Sequence, residues 1–177
     1  MARKAESARD ARMAAVLEAG EGSASFTGTN FFSNANKNLN TGAALNANNL
    51  GEAMASLRKM TDDKGDLIAV RPVKLLVPAE LQVKAQQIVN ATLTDGGNTN
   101  VLAGALDVVV NPFLKDASSW YLIGDENPMI MQDREPVKLV AVSPEDSGNT
   151  AISWLFYTYA RYEAAYGDWH YVIKNKA

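Results

Sequence analysis

Apolar residues recur along this chain in two rhythms, and the switch between them lays out the expected elements. Over Ala2–Ala19 the rhythm is helical. Met13, Val16 and Leu17 fall on one side among Ala, Arg and Glu, which are strong helix formers, and Gly20 stops the run. Glu6 is spaced to pair with Arg9 across one turn. From Gly20 to Asn49 both rhythms fail. Asn30, Asn34, Asn36, Asn38, Asn40, Asn46, Asn48 and Asn49 crowd this stretch, and Asn favours turns and caps over element interiors. A long connection is expected there, anchored by Phe26, Phe31 and Phe32. A second helix follows to about Met60, with Asn48 or Asn49 as N-cap and Leu50, Met54 and Leu57 on one face. Thr61–Asp66 reads as a solvated turn.

The rhythm then shortens. Val73–Val77 is a buried strand, Pro78 stops it, and Ala79–Asn90 is a helix with Leu81, Val83, Ala85, Ile88 and Val89 on its apolar side. Strand, proline and helix in this order fold the helix back onto a sheet. Thr94–Asn100 is a Gly/Asn/Thr loop, and further strands are expected at Leu106–Val110 and Trp120–Ile123. Met129–Met131 and Val137–Val142 are two more, parted by Asp133–Pro136. In the C-terminal stretch, apolar and polar residues alternate through Ile152, Trp154, Phe156 and Thr158 and again through Trp169, Tyr171 and Ile173. Tyr166-Gly167-Asp168 separates the two runs, so a hairpin is expected over Ala151–Lys174. The fold class is α+β.

Composition narrows the function more than it names it. With 177 residues, 47% hydrophobic and 21% charged, the chain is of ordinary globular type. No apolar run approaches the ~20 residues of a membrane span, and the N-terminus lacks the apolar core of a signal peptide. The absence of cysteine excludes disulfides, thiolate catalysis and thiolate zinc sites. A net charge of −3 with no long basic run argues against a dedicated DNA reader.

Candidate chemistry is sparse. His170, the only histidine, is placed by the pattern within the last strand, between Trp169 and Tyr171. A Ser-His-Asp triad would have to use it, yet no GxSxG elbow exists. One histidine cannot make a three-histidine zinc site. The pairs Asp62/Asp63, Asp125/Glu126 and Glu145/Asp146 lie in turns, where solvation works against the pKa splitting that acid–base catalysis needs. The sequence around Asp62 lacks EF-hand ligand spacing, and Gly96-Gly97 lacks a phosphate-loop pattern. No catalytic residue, metal site or cofactor is expected. Arg134 and Arg161 lie among apolar strand residues, so each needs a carboxylate partner or a subunit boundary.

Seven segments resemble, in order, the C-terminal part of the major capsid proteins of Mu-like phages and prophages. They are FFSNANKNL (31–39), TGAAL (41–45) with the helix after it, RPVKLLVPAEL (71–81), LDVVVNPFL (106–114), SWYL (119–122), MQDREP (131–136) and YARYEAAYGDW (159–169). The first departs from the family pattern, since Ser33–Asn38 holds neither of its two histidines. The resemblance implies the Hong Kong 97-like fold of tailed-phage capsids. It places residues 1–49 at the end of a spine helix and a long connection of the peripheral lobe, 50–150 in the axial lobe, and 151–177 as a hairpin returning to the peripheral lobe. It implies a self-assembling head subunit located in the virion, and in the host cytoplasm during assembly. Its partners would be other copies of itself, portal and scaffold proteins, and packaged DNA met non-specifically, with no membrane. Arg134, Glu135, Arg161 and Trp169 are the candidate intersubunit contacts. Family members carry an N-terminal arm and extended loop before this point, so the chain reads as a truncated form or a shortened gene product. The competing classes are a phage morphogenesis hydrolase, which would need a nucleophile–base set, and a small decoration or joining module, which would be shorter or more uniformly β.

Overall fold

The computed structural model describes residues 2–23, 28–93, 99–144 and 154–177. The expected anchor Phe26, the pair Glu145/Asp146, Gly96-Gly97 and Ile152 lie outside them. Helices α1 (Ala2–Ala19), α2 (Ala47–Arg58) and α3 (Gln82–Asn90) combine with strands β1 (Leu39–Thr41), β2 (Lys74–Val77), β3 (Asp107–Val110), β4 (Trp120–Ile123), β5 (Met129–Val142), β6 (Leu155–Tyr166) and β7 (Val172–Lys176). The strands form two sheets. A five-stranded mixed sheet runs in the order β1-β7-β4-β2-β3, and β5 and β6 form a separate antiparallel ribbon. The α+β class expected from the sequence holds.

The central strands of the five-stranded sheet are covered on both faces, while β3 at its edge leaves Asp107 and Val109 exposed; side chains divide with the period of two that a pleated strand imposes. Leu75, Val77, Trp120, Leu122 and Ile173 point to one side, where they pack with Leu50, Ala53 and Leu57 of α2 and Ala85 and Val89 of α3. Leu76, Tyr121 and Val172 point to the other, against Ala14 and Leu17 of α1 and the ring pair Phe31 and Phe32. This explains the unbroken apolar letters of β4, which is buried at Trp120, Tyr121 and Leu122. The Trp120 indole Nε1–H donates to the Ala43 carbonyl at 2.9 Å, so the ring's polar group is satisfied. Burial raises the Tyr121 phenol pKa, with the carboxylates of Glu18, Asp116 and Glu21 adding to the shift.

Several local expectations change. The N-cap of α2 is Asn46, not Asn48 or Asn49; its side-chain oxygen accepts from the Asn49 N–H at 2.7 Å. Asn49 serves the same turn from inside the helix, donating to the Ala44 carbonyl at 2.7 Å. The Asn-rich connection contains a strand, β1, paired parallel with β7. Its asparagines replace backbone partners: Asn38 accepts from Ser33 N–H at 3.0 Å and donates to the Phe31 carbonyl at 2.8 Å, which fixes the turn that carries the two Phe anchors. The helix expected from Ala79 begins as a 3-10 turn over Ala79–Leu81 and becomes α-helical at Gln82. Thr61–Asp66 is the solvated turn expected, and within it the Asp62 carboxylate accepts from the N–H groups of Lys64 and Asp66, both at 2.9 Å.

The largest correction concerns the C-terminal stretch, which does not fold as a hairpin. β6 pairs with β5 along its whole length, and β7 inserts between β1 and β4 in the five-stranded sheet. The break at Gly167 is a crossing between sheets rather than a reversal. Gly167 N–H donates to the Pro128 carbonyl at 2.9 Å, and a Cβ there would lie 3.1 Å from that oxygen. After it, Asp168 caps a 3-10 turn, Trp169–Tyr171, so His170 lies in this turn and not in the strand. The two strands expected at Met129–Met131 and Val137–Val142 are one, because the charged stretch between them is absorbed by bulges. The register slips between Asp133 and Glu135 and again between Glu135 and Lys138.

Candidate functional site

The ribbon is the surface on which exposed side chains concentrate. On β6, side chains alternate between two faces. Ala160, Tyr162, Ala164 and Tyr166 lie on the face that α1 packs against, called the inner face here, while Leu155, Tyr157, Tyr159, Arg161, Glu163 and Ala165 alternate with them on the outer face. Near the core the inner face is closed. Ala164 is buried, the Tyr166 hydroxyl donates to the Val16 carbonyl at 2.7 Å, and the Tyr166 ring stacks on Phe31 with 4.5 Å between centroids. Two ion pairs pin α1 along the ribbon, Arg9 to Asp133 and Arg12 to Glu163, each at 2.7 Å. The Arg12 guanidinium, by hydrogen bonding, holds the Glu163 carboxyl below its ordinary pKa. Both pairs are exposed, so they align the helix more than they stabilise it.

Farther out the cover ends. Lys4 and Ala5, near the start of α1, line a groove with Thr158, Tyr159, Ala160 and Tyr162. Beyond it, Trp154 and Phe156 stack on each other with centroids 6.4 Å apart, and Tyr157 and Tyr159 form a second pair at 6.3 Å. The register puts Ala141 opposite Phe156, Leu139 opposite Thr158, Val140 opposite Tyr157 and Lys138 opposite Tyr159. The Lys138 ammonium lies 5.9 Å from the Tyr159 ring centroid.

Three of the four residues singled out from the sequence meet on this ribbon. Glu135 and Arg161 are register partners, and their side chains form an exposed ion pair at 3.7 Å. Arg134 is the exposed residue of the bulge beside them. Trp169 is elsewhere. It lies half-buried where the ribbon meets the core, stacked on the His170 ring at 3.6 Å and packed against both core clusters. The residues that sequence reasoning did not single out are Leu139, Trp154, Leu155, Phe156, Tyr157 and Tyr159. A signal was available. Trp154-Leu155-Phe156-Tyr157 is apolar at four consecutive positions, and a strand so written has no polar face.

The remaining candidate chemistry does not converge. His170 Nδ1 contacts the Asp168 carboxylate, which also accepts from the His170 backbone N–H at 3.0 Å, so the pair belongs to the cap of the 3-10 turn. Among the described residues no cluster of His, Asp and Glu has the makings of a metal site. No helix among them is long and apolar enough to cross a membrane.

Among solved structures, the chain is similar to the holo-SrpI encapsulin complex from Synechococcus elongatus PCC 7942, with a TM-score of 0.46, 10% sequence identity, and coverage of 92% of this chain and 60% of that one. This chain thus spans less than two thirds of that protein's length. No curated protein matches it in sequence. The family described as phage capsid protein matches residues 1–175. On that match, which covers nearly every residue, the chain belongs to the phage capsid protein family.

Proposed function

We propose that this chain is a major head subunit of a Mu-like phage or prophage, a structural protein that assembles with copies of itself into the shell around the packaged DNA. The observation that carries the reading is the capsid family match across residues 1–175. The architecture supports it. A five-stranded mixed sheet between helices suits the axial lobe of a Hong Kong 97-like subunit, and α1 with the β5–β6 ribbon suits the peripheral lobe. On this assignment β1 and β7 belong to the axial lobe, while β5 belongs with the ribbon. A shell needs broad, repeated, partly apolar interfaces rather than a closed pocket with tuned acids, and the ribbon offers such a surface.

The candidate contacts Arg134, Glu135 and Arg161 then lie at a subunit boundary, while Trp169 supports the junction between lobes. A net charge of −3 fits a container that meets DNA without reading its sequence. Portal and scaffold proteins are the further partners this role implies, the virion its location, and the host cytoplasm its place of assembly. No catalytic step belongs to this role.

Sedimentation velocity over a wide concentration range, with negative-stain electron microscopy of the same samples, tests the reading. Rings, sheets or shells that grow with concentration are expected. A strict monomer at every concentration would overturn it.

A further inference from the structure

We propose that Glu21 and Asn40 form a two-point lock that fixes the register in which β7 enters the five-stranded sheet. The lock is independent of the shell reading and concerns how the last strand finds its place. β7 supplies four consecutive buried residues, and only the first two are apolar: Val172, Ile173 and Asn175 are 0% exposed and Lys174 3%. Lys174 lies on the α1 side of the sheet, its ammonium 5.8 and 5.7 Å from the Phe32 and Tyr121 ring centroids. Asn175 lies on the other side, opposite Trp120 in β4 and Asn40 in β1.

Stability alone does not call for these two residues. A buried ion pair returns little beyond what its desolvation costs. The Asn175 amide is only half used. Its oxygen accepts from the Asn40 Nδ2–H at 2.8 Å, while its own Nδ2 has no hydrogen-bond partner among the described residues. What both polar groups carry is position.

The apolar pattern leaves the register open. A shift of one residue is forbidden, since it would turn every side chain to the opposite face. A shift of two keeps each face. If β7 advanced by two, Val172 would take the place of Lys174 and Ile173 that of Asn175, so two buried places would gain apolar side chains. The ladder hydrogen bonds belong to the backbone and re-form in either register. Lys174 would move to where Lys176 now stands, 3.8 Å from the other Glu21 oxygen, and keep a looser ion pair. The chain for this advance is stored just ahead of the strand, because the 3-10 turn Trp169–Tyr171 rises ~2.0 Å per residue and a strand ~3.3 Å. A retreat by two needs no lock against it, since it would put Lys174 in the apolar place of Val172.

Two contacts oppose the advance. The Lys174 ammonium would give up its 2.6 Å contact with Glu21, and Asn40 would face Ile173 with its amide unpaired. The partners come from different segments, Glu21 from the turn after α1 and Asn40 from β1, and they hold opposite faces of β7. Because β7 follows directly on the crossing at Gly167, its register also sets how much chain spans the passage from ribbon to sheet.

Pulsed electron paramagnetic resonance reads the register directly. The chain has no cysteine of its own, so nitroxides can be placed at Asp107→Cys and Ala177→Cys, both exposed. Asp107 stands level with Val172 across the sheet, so an advance of two residues carries Ala177 about 7 Å farther along the strand direction, away from it. A single distance is expected in the otherwise unaltered chain. Asn40→Leu with Glu21→Ala should add a second, longer distance in about a tenth of the molecules or more. Adding Lys174→Met and Asn175→Leu to that pair should restore the single short distance. Chemical denaturation checks that each variant folds. A folded Asn40→Leu/Glu21→Ala variant that keeps only the short distance overturns the lock, and so does a long distance that persists after the two further changes. If the double variant does not fold, Asn40→Leu alone decides by the same criterion.

Discussion

Strands β4 and β6 are written in nearly the same letters and meet opposite fates. Trp120, Tyr121 and Leu122 are buried with both faces covered, while Trp154, Leu155, Phe156 and Tyr157 stand in solvent. Intrinsic β-propensity does not separate them, since aromatic and branched residues dominate both. The difference is what the rest of the chain brings over each strand. β4 lies in the middle of the five-stranded sheet, between β7 and β2, with α2 and α3 on one side and α1, Phe31 and Phe32 on the other. β6 has one strand neighbour and one helix, and the helix covers only part of one face. A strand's letters state how much cover it wants, and the topology states how much it receives within the subunit. The shortfall on the ribbon leaves its aromatics in solvent.

The comparison breaks most sharply at Trp120. Trp120→Ala should cost about 3–5 kcal/mol in a urea or guanidinium titration, since it empties a fully buried site and strands the Ala43 carbonyl. Truncations of equal size at Trp154 should leave the monomer's midpoint almost unchanged; an equal loss would mean that the ribbon is covered within the subunit.

Glu21→Ala probes the core from its edge. Lys174 is almost fully buried beside the Phe32 and Tyr121 rings, and its ammonium meets the Glu21 carboxylate at 2.6 Å. Removing that partner should cost about 3 kcal/mol, at the low end for a broken buried pair because Glu21 remains one-third exposed. Glu21→Ala paired with Lys174→Met should recover much of the loss, and failure to recover would argue that Glu21 acts through something other than the ammonium. A smaller effect is expected at Asn46. Asn46→Ala deletes the α2 cap and should lower stability by about 1 kcal/mol, with Asn46→Asp close to neutral in the same titration.

The smallest effect belongs to the ribbon. Arg161→Ala breaks an exposed 3.7 Å pair with Glu135 and should change monomer stability by no more than about 0.5 kcal/mol. If its effect appears in the sedimentation profile and not in the denaturation curve, the residue serves contacts between copies. If it appears in the denaturation curve, the pair is an internal brace.

Much of the core was legible because its signals are local. Gly20 closes α1, and Pro78 separates β2 from the helical segment behind it; each acts within a few residues. The Asn tract was only half legible. Its preference for turns was plain, but Asn38 acts through side-chain bonds to Ser33 and Phe31, and β1 exists because β7 runs beside it. The stretch read as a C-terminal hairpin shows the limit most clearly. Alternation and a Gly-containing break describe two strands but not their partners: β6 pairs with β5, the strand just before it, while β7 pairs with β4 and with β1 far earlier in the chain. The ribbon site was half visible for a related reason. Arg161 and Glu135 stood out as charges among apolar letters, while which of the aromatics around them stay uncovered is decided by the topology.

The insertion of β7 between β1 and β4 also sets the order in which the subunit can form. Until Val172–Lys176 is in place, β1 has no strand neighbour in the sheet, and β4, β2 and β3 stand apart from it. Joining Leu39 to Lys174 closes a loop of most of the chain, an entropic cost met late and all at once. β7 is therefore a keystone: its pairing joins β1 to the β4-β2-β3 set and makes one sheet of two parts.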